Sequence, residues 1–298
     1  MLSTAMIPTH ALTVVRSPSV QNVLDRANLY LRHGFAVNLS GPPGVGKTTL
    51  ALHLAQTRGR STLFVQGHSS MAIDDLVGGY RGYQYHRLVD NFIRDVLKVD
   101  ERIETKWSSG WLNTAIVQGQ IVIFDEFNRV PPQVQTVLLS VLEEKILPIT
   151  RLGHTENIKV HPEFRLIVTS GLHGQSGTYP VLEPLMDRLV TISLDVPDEA
   201  TEIEIVRAHA GTTVDETRKV VRLARRVHNV ESGTTDNPAS TSIRTSIALA
   251  QLVKSEGWSL KGTKWPEGFP SIVLDLAGPF CGHTVGDIRE FMKVKQQL

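Results

Sequence analysis

The run Gly41-Pro42-Pro43-Gly44-Val45-Gly46-Lys47-Thr48 constrains this chain more than any other stretch of it. It fits G-x-x-x-x-G-K-[S/T]. Phe35 to Leu39 before it reads as a strand, and the alanine-rich segment after it, with Leu50, Leu52 and Leu54, reads as a buried helix. Glycines let backbone amides turn inward around phosphate oxygens, and a following helix offers its free N–H groups to the same anion. Lys47 supplies a point charge for outer phosphates and Thr48 a hydroxyl for Mg²⁺. The candidate nucleotide-binding set is therefore Gly41, Pro42, Pro43, Gly44, Val45, Gly46, Lys47, Thr48 and Thr49, with ATP and Mg²⁺ as the implied ligands.

A strand–loop–helix–strand opening predicts an α/β fold, a parallel sheet flanked by helices. Ser17-Pro18 reads as a helix start, followed by Val20, Val23, Leu24, Ala27 and Leu31 at helical spacing and closed by Gly34. Ser61 to Gln66, Ile121 to Phe124, Arg165 to Thr169 and Leu189 to Leu194 read as further strands. Helices are expected at His86 to Val99 and Pro131 to Ile146, and an ordered loop at Ala72 to Tyr85. Trp107 and Trp111, four apart, suggest one packed helical face. After Pro197 the pattern turns helical, with Glu202 to His209, Thr217 to His228 and Ile243 to Glu256, and a polar linker at Glu231 to Thr241. The expected division is a tail at 1–16, an α/β ATPase core at 17–197, a small helical lid at 198–256 and an extension of uncertain fold at 257–298.

A phosphate site needs its metal and its water handled from another strand. Asp125 and Glu126 stand at the carboxyl end of the apolar strand Ile121 to Phe124, where open α/β sheets place ligands. Asp125 joins Thr48 as the candidate metal pair, and Glu126 is the candidate base that activates water. The catalytic candidates are Glu126, Lys47, Arg188 and Arg244. Arg188, just before a predicted strand, is placed to serve a neighbouring subunit as a finger on the transferring phosphoryl group. Arg244, opening a helix of the lid, is placed to reach back over the γ-phosphate. Arg129 is a candidate partner for a carboxylate at a subunit junction. His68, His86, His154, His161 and His173 have no metal-ligand spacing and read as structural or surface residues. Tyr80, Tyr83 and Tyr85 with Arg81 and Arg87 suit a protein-contacting loop better than a nucleic-acid platform.

Composition excludes several classes. Thirty-one basic and thirty acidic residues leave a formal charge of +1, so no broad basic field for nucleic acid is expected. No run approaches the ~20 apolar residues that cross a bilayer, and no signal peptide is evident, so no integral membrane protein is expected. A single cysteine, Cys281, excludes an internal disulfide and favours a reducing cytoplasm.

Taken together, residues 17 to 255 resemble the AAA+ ATPases, and within them the MoxR-type group. The resemblance rests on GPPGVGKT at 41–48, IVIFDE at 121–126, VQTVLLSVLEEKIL at 134–147, LMDRL at 185–189 and STSIR at 240–244. Three segments narrow it: DDLVGGYRGYQ at 74–84, VDNFIRDVLKVDE at 89–101 and FDEFNRVPPQVQTVLLSVLEEKIL at 124–147 are similar to the GvpN family of gas vesicle proteins. The resemblance implies a cytoplasmic Mg²⁺-ATPase that self-associates into a ring such as a hexamer. Lys47, Thr48, Asp125 and Glu126 would come from one subunit and Arg188 from the next. It implies a role in assembling or enlarging gas vesicles, with gas vesicle accessory or shell proteins as partners. Two other functions fit the same motifs: an ATP-dependent activator of a metalloenzyme such as Rubisco or nitric oxide reductase, and a nucleotide-gated scaffold with little hydrolysis. One departure bears on that choice. Where the family carries Asn in Thr-Ser-Asn-Pro, this chain reads Thr169-Ser170-Gly171-Leu172. Either Thr169 or Ser170 then substitutes, or turnover is slow.

Overall fold

The computed structural model describes residues 14–90, 98–151, 153–171, 177–229, 242–258, 260, 266–277 and 284–293. Expectations for the N-terminal tail, the linker at 231–241, His173 and Cys281 fall wholly or mostly outside these residues. Helix α1 (Pro18–Arg32) starts as the sequence predicts: Ser17 Oγ accepts the N–H of Val20 and Pro18 takes the first helical position. Strand β1 (Ala36–Ser40) leads through the glycine loop into α2 (Lys47–Gln56), and β2 (Thr62–Gln66) follows. Then come α3 (Ile73–Leu76), β3 (Gly78–Asp90), β4 (Lys98–Ser109), α4 (Trp111–Gln118) and β5 (Ile121–Asp125). A 3₁₀ turn at Phe127–Arg129 precedes α5 (Pro132–Gln135), α6 (Val137–Leu142), β6 (Ile146–Arg151), β7 (His154–Lys159), β8 (Arg165–Ser170), α7 (Glu183–Met186) and β9 (Leu189–Ser193). Beyond β9 the described elements are helices: α8 (Glu199–Ala210), α9 (Val214–Asn229), α10 (Ile243–Ser255), α11 (Phe269–Ala277) and α12 (Val285–Lys293).

Five parallel strands form one sheet in the order β2-β5-β8-β1-β9. Its strands alternate between two apolar layers. Val122 and Phe124 join the layer with α4 to α6, while Ile121 and Ile123 join the layer with α1 and α2. Both faces are covered, which is why these strands read as continuous apolar runs. A third apolar cluster gathers Val206, Val220, Leu249, Phe269 and Ile288 from α8 to α12, so the last two helices pack with the three before them.

Several expectations are corrected. The described residues of the expected helix at 86–99 are strand: 86–90 lie in β3 and 98–99 in β4, which pair antiparallel with Tyr85 opposite Ile103 and Val89 opposite Val99. Backbone pairing along a ladder outweighs a local helical spacing there. Residues 91–97, the middle of VDNFIRDVLK, lie outside the described residues. The expected loop at 72–85 is α3 followed by the first part of β3. Trp107 and Trp111 share no helix. The first lies in β4 edge-on to Tyr80, the second opens α4 and packs edge-on against Phe124. The expected helix at 131–146 is two short helices, and Lys145 in a left-handed conformation (φ 57°) turns the chain into an unforeseen β6–β7 hairpin.

Candidate nucleotide site

Three strands end side by side at the centre of the sheet, and each delivers one part of the site. After β1, Gly44 and Gly46 adopt φ of 82° and 92°, a region closed to most other residues. Space reinforces this at Gly44, where a Cβ would come within 2.5 Å of the Ser242 hydroxyl at the start of α10. The Lys47 ammonium lies across its own loop, donating to the carbonyls of Gly41 (2.9 Å) and Pro42 (2.7 Å). Burial holds its pKa below the ordinary lysine value. Asp125 pulls it up, Arg244 pushes it further down, and Glu126 pulls it up more weakly.

The end of β5 supplies the carboxylates. Asp125 is buried, and its Oδ1 accepts from the hydroxyls of Thr48 (2.8 Å) and Thr169 (2.5 Å). Thr169, near the end of β8, also accepts the Glu126 N–H at 3.0 Å. One hydroxyl thus ties the metal-side carboxylate to the backbone of the candidate base. Glu126 itself is left-handed (φ 51°, ψ 44°), a conformation costing a non-glycine residue on the order of 1 kcal/mol. That strain is held by the Thr169 bond and by the turn beyond, where Phe127 packs edge-on against Phe124, itself edge-on to Trp111. The Glu126 carboxylate pairs with Arg129 Nε at 2.9 Å, within one chain.

Gly44, Gly46, Lys47, Thr48, Asp125, Glu126 and Thr169 line one cavity of about 270 Å³, whereas Gly41 and Pro42 of the expected set do not. Pro43, Val45, Thr49, Asn128, Arg129 and Gly171 line it as well, and Arg244 reaches it from the first turn of α10. Val20, Ile205 and Ile247 give it an apolar end. Arg188 lies elsewhere. Its guanidinium grips both carboxylate oxygens of Glu143 (3.0 and 2.8 Å) and the Pro184 carbonyl (2.8 Å), raising its own pKa and lowering that of Glu143. Ser170 also points away, donating to Asn38 Oδ1 at 3.0 Å. Asn128 escaped the sequence reading. Its only signal is its position two residues past Glu126.

The residues fit a nucleoside triphosphate and its cation. Two hard oxygens, on Thr48 and Asp125, lie 2.8 Å apart beside the loop, the ligand type that Mg²⁺ takes. The Lys47 ammonium sits on carbonyls that a phosphate would replace.

Fold and site together define an AAA-type P-loop ATPase domain. The family model described as AAA domain (dynein-related subfamily) matches residues 36–189. The chain is 35% identical over 254 residues to the gas vesicle ATPase GvpN of Ancylobacter aquaticus, covering 85% of this chain and 70% of that protein. It is 37% identical over 225 residues to GvpN1 of Halobacterium salinarum, covering 74% and 65%. It is also 32% identical over 226 residues to Protein NorQ of Paracoccus denitrificans, covering 75% of each. The chain thus spans roughly two thirds of the length of the gas vesicle relatives. A solved structure of a RuvB mutant from Thermotoga maritima matches at a TM-score of 0.52 and 19% identity, covering 88% of this chain and 70% of that one, which is a likeness of fold. The chain belongs to the GvpN family of gas vesicle ATPases. Among the described residues no helix is long and apolar enough to cross a membrane.

Proposed function

We propose that this chain is a Mg²⁺-dependent ATP hydrolase that drives the assembly or enlargement of gas vesicles. The observation carrying the chemistry is the Thr48–Asp125 contact with Glu126 next in sequence, both carboxylates lining the cavity of the Lys47 loop. Thr48 and Asp125 would hold the cation, which neutralises phosphate charge when bound. Lys47 and Arg244 would hold the outer phosphates, and Glu126 would accept the proton of the attacking water. The chain would act as a ring, such as a hexamer, in the cytoplasm or on the vesicle, with gas vesicle accessory or shell proteins as partners. Arg188, remote from the cavity of its own chain, would complete the site of the next subunit. The working division is an α/β core to residue 197, a lid at 198–256 and a C-terminal extension at 257–298. Packing of α11 and α12 on the lid helices favours treating lid and extension as one unit.

The likeness to NorQ favours a second reading, an ATP-dependent activator of a metalloenzyme. Deletion of the gene followed by electron microscopy separates the two. Loss of vesicles, restored by the wild-type gene and not by Lys47→Ala, is the expected result. Normal vesicles in the deletion strain sink the gas vesicle reading.

A further inference from the structure

The end of β8 brings no uncommitted side-chain donor to the reacting end of the cavity, although Thr169 lines it. Gly171 lines it with backbone alone. The Ser170 hydroxyl proton is committed to Asn38, and the Thr169 hydroxyl gives its one proton to Asp125. A base on water also needs neutral donors nearby to orient that water and to hold the oxygens of the phosphoryl group, whose charge spreads over them during transfer.

Asn128 has the free donors. It is buried, lines the same cavity and lies two residues beyond Glu126 in the same 3₁₀ turn. Its Oδ1 accepts the Gly171 N–H at 3.3 Å. A backbone N–H can only donate, so this bond fixes which end of the amide is oxygen. The NH₂ end, with two protons, has no acceptor among the described residues, although it is not sealed from solvent. The main chain holds the side chain in place. Tyr179 N–H donates to the Asn128 carbonyl at 2.6 Å, and Arg129 N–H to that of Glu126 at 2.9 Å.

We propose that Asn128 supplies from the turn after β5 the neutral hydrogen-bond donor that the end of β8 lacks, orienting the attacking water and a terminal phosphate oxygen beside Glu126. This rests on the ATPase reading above. In the step, the water oxygen bonds to the γ-phosphorus as the β–γ bridging P–O bond breaks. The bridging oxygen leaves on ADP with the bonding pair, and the water proton passes to Glu126. Asn128 donates without exchanging a proton.

The test uses the full chain and two near-isosteric variants. Asn128→Asp keeps the acceptor for Gly171 and loses the donors. Asn128→Leu loses both. ATPase rates, melting temperatures and affinity for a non-hydrolysable ATP analogue are measured on each. The expected result is a kcat lowered roughly 10- to 100-fold in both variants. Analogue affinity of Asn128→Leu should stay within about threefold of wild type, and only Asn128→Leu should melt lower. Wild-type kcat in Asn128→Asp overturns the proposal, because the residue would then serve only to anchor Gly171. A loss confined to KM overturns it too. If the wild type hydrolyses no ATP, the ATPase reading falls and this inference with it. If the wild type turns over and Asn128→Asp matches it, this inference alone falls.

Discussion

The Thr169 hydroxyl stands 2.5 Å from Asp125 Oδ1 and at the same time accepts the N–H of Glu126 at 3.0 Å. One side chain on β8 therefore holds both carboxylate residues at the end of β5. Thr169→Val keeps the shape and leaves the Glu126 N–H without its acceptor. It should cost about 1–3 kcal/mol in a denaturation experiment and lower ATP turnover. Thr169→Ser should restore most of both. Equal stability of Val and wild-type proteins would show the bond to be idle.

Glu126→Gln should separate binding from chemistry. The amide is nearly isosteric but cannot take a proton from water, so kcat should fall by roughly 10²- to 10⁴-fold. ATP affinity should hold, because Lys47, Thr48 and Asp125 are untouched. The comparison of interest is Arg129→Ala, which frees the Glu126 carboxylate from its 2.9 Å ion pair. If that pair parks the base between turnovers, the basal rate rises. A fall instead would place Arg129 in the working site.

Lys47 sets a pH dependence whose sign follows from its lowered pKa, which is caused first by burial. As pH rises through the folded-state value, the free protein loses the ammonium at a lower pH than an ordinary lysine, whose pKa is ~10.4. ATP affinity measured by calorimetry should therefore decline at alkaline pH below that figure. Stability of the nucleotide-free chain runs the opposite way. Between the folded and unfolded pKa values the unfolded state binds more protons, so stability rises with pH. Lys47→Met should remove the affinity slope and reduce the stability slope, the remainder coming from Lys145, whose pKa burial also lowers.

If Arg188 acts across a subunit junction, Arg188→Ala and Lys47→Ala should each abolish turnover alone. Mixed together, they should recover part of it, because some junctions pair an intact Lys47 with an intact Arg188. Binding of ATP to Arg188→Ala should stay near wild type, as its cavity lacks Arg188 in the first place. Absence of recovery in co-assembled mixtures would remove the residue from the junction. Glu143→Gln, which loosens the internal grip on Arg188, should alter turnover without touching the cavity.

The lid has its own weak point in Glu202, fully buried in α8 and bonded to Arg225 Nε at 2.7 Å and Ser246 Oγ at 2.6 Å. Arg225 in turn donates to the Pro197 carbonyl at the junction with the sheet. Glu202→Ala leaves a largely buried guanidinium without its carboxylate and should cost about 3 kcal/mol or more by chemical denaturation. Because Ser246 lies two residues beyond Arg244 on α10, nucleotide affinity should weaken as well. A loss below ~1 kcal/mol would mean that water replaces the carboxylate at little cost.

Elements that the chain announces locally were legible in sequence. Ser17-Pro18 signals a capped helix, Ile121 to Phe124 signals a doubly covered strand, and a glycine loop between strand and helix signals phosphate. The expected helix at 86–99 rests on Val89, Ile93, Val96 and Leu97 at helical spacing, whereas its described ends, 86–90 and 98–99, are strands paired with each other, a contact that local spacing does not record. The β6–β7 hairpin opens after Lys145, whose left-handed backbone no local sequence pattern announces. Asn128 was passed over because its bond is to Gly171, 43 positions away, and no local pattern records it.

Sequence alone determined which groups this chain has for the chemistry: the loop with Lys47 and Thr48, the adjacent Asp125 and Glu126, and the missing side chain at Gly171. Covalent order and local periodicity suffice for that, since each motif spans only a few residues. Tertiary structure decided how those groups are joined. The strand order β5-β8-β1 brings Thr48, Asp125 and Thr169 into contact, leaves Ser170 facing Asn38, and puts Arg188 outside its own cavity. Such choices depend on which strand lies beside which and on which face each residue falls, and both are set by burial of the two apolar layers across the whole sheet.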